Sequence, residues 1–182
     1  MEASNSHATF GHNPMRFAWG FDEEADECRE MKLELAQQIM ELRQQGVTHF
    51  FVACDCGVGL YAAELINVLR DNDPELMLFC ITPYEEQATK WTPELRERYF
   101  DMLVKCTHMT AVYTHKQPGA QLKAYRTIIR QSDMVLAVYD PASARGADTD
   151  AAIQYARELK RPILSIHPDT LRTSCLTEFE FM

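Results

Sequence analysis

Apolar positions along the chain alternate between short continuous runs and longer amphipathic stretches. The continuous runs fall at residues 8–10, 48–53, 76–81, 109–113, 134–139 and 162–166, and each reads as a strand. Between them, apolar residues recur at three- and four-residue spacing. Met31, Leu35, Ile39 and Leu42 mark a helix over residues 22–45, with acids at its start and Gly46 at its end. A second helix covers residues 58–70, and Asp71-Asn72-Asp73-Pro74 closes it as a loop. Thr92 as N-cap and Pro93 in the first turn open a third, whose apolar face is Leu95, Tyr99, Met102, Leu103 and Cys106. Residues 119–131 and 151–160 form the last two, and the tail beyond Pro168 reads as irregular.

Regular alternation of strand and helix predicts an α/β protein with a predominantly parallel sheet covered by helices on both faces. The strands ending at Ala53 and Tyr139 are highly apolar and both feed glycine-bearing turns. They are therefore expected to be neighbours at the centre of the sheet, at its switch point. No repeat, low-complexity segment or linker interrupts the pattern. One domain over residues 1–182 is expected, with its core at about residues 8–167.

The two turns carry the candidate chemistry. Cys54-Asp55-Cys56-Gly57-Val58-Gly59 stands where a strand becomes a helix. Glycine there lets backbone approach a ligand, and the helix start offers free N–H groups to a phosphate. A bare G-x-G fits a turn needing positive φ equally well. It matches neither the dinucleotide fingerprint nor a Walker loop. The Cys54-x-Cys56 pair lacks the second pair a zinc site needs and the spacing usual for redox pairs. Glu64 on the following helix either faces solvent or holds a ligand hydroxyl or base. After the second turn, Asp140 ends a strand, and Asp148 and Asp150 flank Thr149 as ribose acceptors or helix caps. Tyr84 and Trp91 are placed to stack on a ring or to cover the core edge. The histidines are scattered, and no metal spacing emerges.

Composition narrows the classes. The 182-residue chain carries a formal net charge of −9, which argues against a general electrostatic grip on nucleic acid. No apolar run reaches membrane-spanning length, and the polar first seven residues lack a signal-peptide core, so a cytoplasmic protein is expected. The six cysteines are accordingly expected to be reduced.

With these residues in place, the chain resembles the YpsA-like branch of the SLOG superfamily, which groups DprA-like and LOG-like proteins. Phe10-Gly11-His12-Asn13-Pro14 resembles its opening T-G-H-R-P, and residues 57–64 resemble its G-V-D/E-L-W-A-A-E. Residues 81–87 with Trp91 resemble I-P-F-x-x-Q-x-x-x-W, and residues 131–140 resemble S-D-x-L-I-A-V-Y-D. The resemblance implies a Rossmann-like three-layer α/β/α sandwich and a nucleotide or nucleotide-derivative pocket, with no established reaction. Cys54 stands where the branch has glycine, Gly59 where it has an acid, and Ala147-Asp148 replaces paired glycines beside Gly146.

The reading that results is a protein that binds or senses a phosphate-bearing nucleotide derivative, with no certain cofactor, no membrane partner and self-association open. Gly11, Gly57, Gly59 and Gly146 would give backbone access. Asp55, Glu64, Asp140 and Thr149 would orient polar groups, and Tyr84 and Trp91 would flank a ring. The enzymatic alternative, an N-glycosidase or deoxyribosyltransferase, needs a nucleophilic glutamate where Ala152 stands. A regulatory scaffold without ligand is the third.

Overall fold

The computed structural model describes residues 5–143 and 147–176. Its strands are β1 (Ser6–Gly11), β2 (His49–Val52), β3 (Met77–Tyr84), β4 (His108–Tyr113), β5 (Met134–Val138), β6 (Ile163–Ile166) and β7 (Thr173–Cys175). Its helices are α1 (Asp26–Gln44), α2 (Val58–Arg70), α3 (Pro93–Lys105), α4 (Ala120–Arg130) and α5 (Asp148–Glu158). The strands form one sheet in the order β4-β3-β2-β1-β5-β6-β7, parallel except for the last pair.

Both faces of the sheet are covered, which is why its central strands are apolar throughout. On one face α1, α2 and α3 bury Met31, Leu35, Ile39, Leu60, Ile66 and Met102 against Phe50, Val52, Leu78 and Cys80. On the other, α4 and α5 bury Tyr125, Ile128, Ile129 and Ile153 against Ala8, Phe10, Val135 and Ala137. This is the expected Rossmann-like sandwich.

The centre differs from expectation. β2 and β5 do not touch; β1 lies between them and pairs with both. Three residues read as the first strand are the middle of a six-residue strand, every residue of which is buried. Its first two residues, Ser6-His7, are polar in sequence, which hid its extent and its central place. Other elements also differ, and β3 runs on to Tyr84, three residues past its expected end. α1 begins at Asp26, because residues 22–25 form turns. α5 begins three residues early, at Asp148, without a side-chain cap, so Asp148 and Asp150 lie in its first turn and do not cap it. The tail holds β7, antiparallel to β6 at the sheet edge.

Candidate functional site

The chain adds β2, β3 and β4 on one side of β1, then crosses back to place β5 on the other. Loops leaving β1 and β5 therefore diverge, and the crevice between them is where open α/β sheets bind ligands. A cleft of about 390 Å³ opens there. That is within the range of small-molecule sites.

One wall is the turn after β1. Asn13 caps a short 3-10 turn, Pro14–Arg16, by accepting from the Met15 N–H at 3.0 Å. His12, 2 % exposed, accepts the Asp140 N–H at Nε2 (2.8 Å) and stacks on Tyr139. Burial first, and the Arg16 charge second, lower its pKa, so the ring is held neutral. Arg16 pairs with Asp140 (2.5 Å) and Asp169 (3.0 Å) and donates to Ser143. Burial pushes the Asp140 carboxyl up, but the guanidinium and the Ala142 N–H outweigh it and hold the pKa at about 2. Asp140, His167 and Asp169 lie close enough to share a cation. The Arg16 guanidinium already fills that role between the two carboxylates.

The floor is Asp55, in the loop between β2 and α2. Its Oδ2 accepts the Tyr125 hydroxyl at 2.8 Å, while its buried Oδ1 has no hydrogen-bond partner among the described residues. Burial raises its pKa to about 6, against the opposing Tyr125 bond. One helical turn before Tyr125, Gln121 also lines the cleft, with its buried amide beside the Tyr125 hydroxyl. Gln87 spends its Nε2 on the Ala53 and Cys54 carbonyls and the Tyr99 hydroxyl. That leaves its carbonyl oxygen for the cleft.

Tyr84, at the end of β3, and Trp91 form the apolar walls, and Ala147, Asp148 and Thr149 close the far side. The first intrahelical bond of α5 is Ala151 N–H to Ala147 C=O, so the N–H groups of Asp148, Thr149 and Asp150 precede the ladder. Asp150 instead accepts the Tyr139 hydroxyl with its side chain.

Of the residues singled out in sequence, Asp55, Tyr84, Trp91 and Thr149 line the cleft. Gly11 acts by packing: a Cβ there would lie 2.6 Å from Val58 Cγ2, and its carbonyl accepts from Thr149 Oγ1. Gly57 has φ 107°, and a Cβ would meet Pro14 Cγ at 2.9 Å. Gly59 makes room for Asp55, since a Cβ would collide with Oδ1. The first turn of α2 thus faces a carboxylate of the chain itself, which corrects the picture of an open phosphate seat there. Glu64 turns away toward α3, where Arg98 bonds it at 2.6 and 3.1 Å and also binds Glu23. Asp140 sits behind the cleft, on Arg16. Gly146 lies outside the described residues.

Sequence reading missed His12, Asn13, Arg16, Gln87, Gln121 and Tyr125. His12 and Gln87 stood inside the quoted motifs. Gln121 and Tyr125 carried no signal, because their spacing is that of any amphipathic helix. Cys54 is fully buried with φ 58°, a left-handed backbone that glycine would adopt without strain. Burial, then the Asp55 charge, pushes the Cys56 thiol up to about 11, so neither cysteine is poised as a thiolate. The six cysteines are unpaired with one another.

A mostly parallel sandwich with a cleft at its switch point defines a Rossmann-like α/β protein. The chain belongs to the YspA SLOG family, whose model matches residues 8–171. A UPF0398 protein of Halalkalibacterium halodurans is 31% identical over 112 residues, covering 60% of this chain and 59% of that protein. The alignment therefore spans about three-fifths of that relative. A UPF0398 protein of Bacillus pumilus is 27% identical over 182 residues, covering 96% of this chain and 94% of its own. Among solved structures, DNA processing protein A from Helicobacter pylori, described for its single-stranded DNA binding mode, superposes with a TM-score of 0.60 at 11% identity. The match covers 94% of this chain and 69% of that one, and speaks for the fold. No helix among the described residues is long and apolar enough to cross a membrane.

Proposed function

We propose that the cleft between the β1 and β5 turns binds a nucleotide or nucleotide derivative, and that the protein acts by binding it. The observation that carries this reading is the cleft itself, at the switch point, lined by His12, Asn13, Arg16, Asp55, Gln121 and Thr149 together with two aromatic side chains. Tyr84 and Trp91 supply the apolar walls a flat ring needs. A phosphate end would meet the free N–H groups at the α5 start, which lines the cleft together with Arg16, against the two acids of that turn, Asp148 and Asp150; at α2 the first turn is covered by Asp55. The N-glycosidase alternative loses ground on the same helix. Ala152 is fully buried in the core under α5, so even the side-chain position of the required carboxylate points away from the cleft. Native mass spectrometry of freshly purified protein, followed by calorimetry with nucleoside mono- and diphosphates, tests the reading. Retained or millimolar-or-better binding supports it; no binding of any nucleotide at millimolar concentration removes it.

A second reading, single-stranded nucleic acid as ligand, has one observation in its favour beside the Helicobacter pylori likeness. α4 presents Lys123, Arg126 and Arg130 outward with no acid on the helix. Among the described residues none of the three joins an ion pair, whereas Lys123 and Arg126 lie over the Tyr113 and Tyr155 rings. Anisotropy of a labelled oligothymidylate across a salt series decides it. A steep fall of affinity with salt that Arg126→Ala and Arg130→Ala flatten would favour this reading.

A further inference from the structure

We propose that Cys80, Met102 and Cys106 form a binding site for a soft monovalent metal ion, of the Cu(I) or Ag(I) class, with two thiols and a thioether as its donors. The site lies between β3 and α3, apart from the cleft, and does not depend on the nucleotide reading.

Three sulfur atoms gather where the strand and the helix pack. Cys80, in the middle of β3, is fully buried and faces α3, with its Sγ 3.6 Å from Met102 Sδ. Met102 and Cys106 stand four residues apart at the end of α3, so both project from one face of the helix. The Cys106 thiol lies beside that of Cys80, and the two shift one another's titration. The Cys54 thiol adjoins Cys80 as well and brings a fourth sulfur to the neighbourhood. Thiolate and thioether sulfurs are the donors that select Cu(I), whereas zinc takes thiolate, imidazole and carboxylate. Cys80 and Met102 are buried, but Cys106 is only half-buried, which gives an ion a way in from the surface.

Charge is the obstacle at such a site, and a neighbouring side chain answers it. Each thiol that binds releases its proton to solvent and gives a sulfur lone pair to the metal, with no change of oxidation state. Two thiolates around a monovalent cation leave one net negative charge, which burial penalises. Arg70, at the end of α2, stands close enough to favour the charged form of both Cys80 and Cys106. Its guanidinium donates to the Leu76 and Lys105 carbonyls and to the Asn67 amide oxygen, and among the described residues it has no carboxylate partner. Neutral groups thus hold an uncompensated positive charge beside the sulfur pair. Asn67 also donates to the Met102 carbonyl at 3.2 Å and ties α3 to α2.

The test titrates anaerobic, fully reduced protein with Cu(I), supplied as its acetonitrile complex, against the chromogenic chelator bicinchoninate. Wild type should hold a single equivalent in this competition, and X-ray absorption of that species should show a first shell of sulfur alone. Cys106→Ser should lose the equivalent, and Met102→Leu, which nearly conserves volume, should weaken it. Arg70→Gln should weaken it about tenfold, the scale of a removed outer-shell partner. Cys56→Ser, at the cleft, and Cys175→Ser, at the sheet edge, should bind as wild type does. Circular dichroism and thermal melts confirm that the variants are folded, and Met102→Leu carries the test should Cys106→Ser fail to fold. Failure of wild type to hold Cu(I) against the chelator overturns the proposal. So does an equivalent retained unchanged in Cys106→Ser and Met102→Leu, or one lost with Cys56 or Cys175, which would place the metal elsewhere.

Discussion

Asp55 is a carboxylate that burial makes costly to the fold. Burial raises its pKa from 3.8 to about 6, so at neutral pH the fold carries a carboxylate it would hold more comfortably protonated. Asp55→Asn should therefore raise folding stability at pH 7.5 by about 1–2 kcal/mol while it alters ligand binding, and urea titration checks the first half. Gly59 answers to the same carboxylate. Gly59→Asp restores the acid of the resembling branch, but its Cβ collides with Asp55 Oδ1 and sets two carboxylates together. We expect a loss of about 2–3 kcal/mol, read as a lowered urea midpoint. In the double variant with Asp55→Gly, which frees that space, most of the loss should return. Glu64 is a contrasting case. It shares Arg98 with Glu23, and Glu64 and Arg98 are each about a third exposed, so Glu64→Gln should cost only about 0.5–1 kcal/mol and leave nucleotide binding unchanged. A tenfold affinity loss in that variant would return Glu64 to the site.

At the scale of elements, hydrophobic period revealed the type and order of six strands and five helices, because both faces of the sheet are buried and the signal is strong. It misjudged elements whose position is set by contacts rather than composition. β1 looked short because Ser6 and His7 are polar, yet it is wedged between β2 and β5 and fully buried. β7 looked irregular because Thr173-Ser174-Cys175 is exposed and held only by its ladder to β6. The cleft was legible where glycine or aromatic residues broke the pattern, at Gly57, Tyr84 and Trp91. It was not legible at Gln121 and Tyr125, which reach it from the middle of a core helix. Since β7 buries nothing, substituting Ser174 by proline should remove its strand pairing at a cost of about 1 kcal/mol or less. Amide exchange should then show faster exchange in β7 and unchanged protection in β5.

Over the whole molecule, His7, Asp140 and Asp55 carry large shifts that shape the acid response, and His12 and Glu23, both lowered, add to the loss on acidification. His7 is fully buried, and desolvation lowers its pKa from 6.5 to about 4, against the Asp133 charge. The unfolded chain takes that proton first, so this contribution is complete above pH 6.5 and is lost as pH falls toward 4. Asp140, held at about 2, contributes above pH 3.8 and is lost between there and about 2. Asp55 runs the other way: the folded protein binds its proton more tightly, so acidification from about pH 6 to 3.8 adds stability. Asp55 and His7 therefore oppose one another between pH 6 and 4. Wild type should show a shallow stability profile across that window, and Asp55→Asn a steeper fall on acidification. Denaturation midpoints at half-unit pH steps test this, and parallel profiles would show that the two groups do not offset.

The placement of β1 also has a consequence for how the chain is made. It precedes every other described strand, but its second neighbour, β5, begins only at Met134. During synthesis β1 can pair with β2, and β3 and β4 can follow, while the other edge of β1 stays open until the chain has grown past residue 138 and cleared the ribosome. A strand edge left unpaired that long is an invitation to wrong partners. The nascent protein thus passes through a half-sheet whose open border is the same line along which the finished cleft will form.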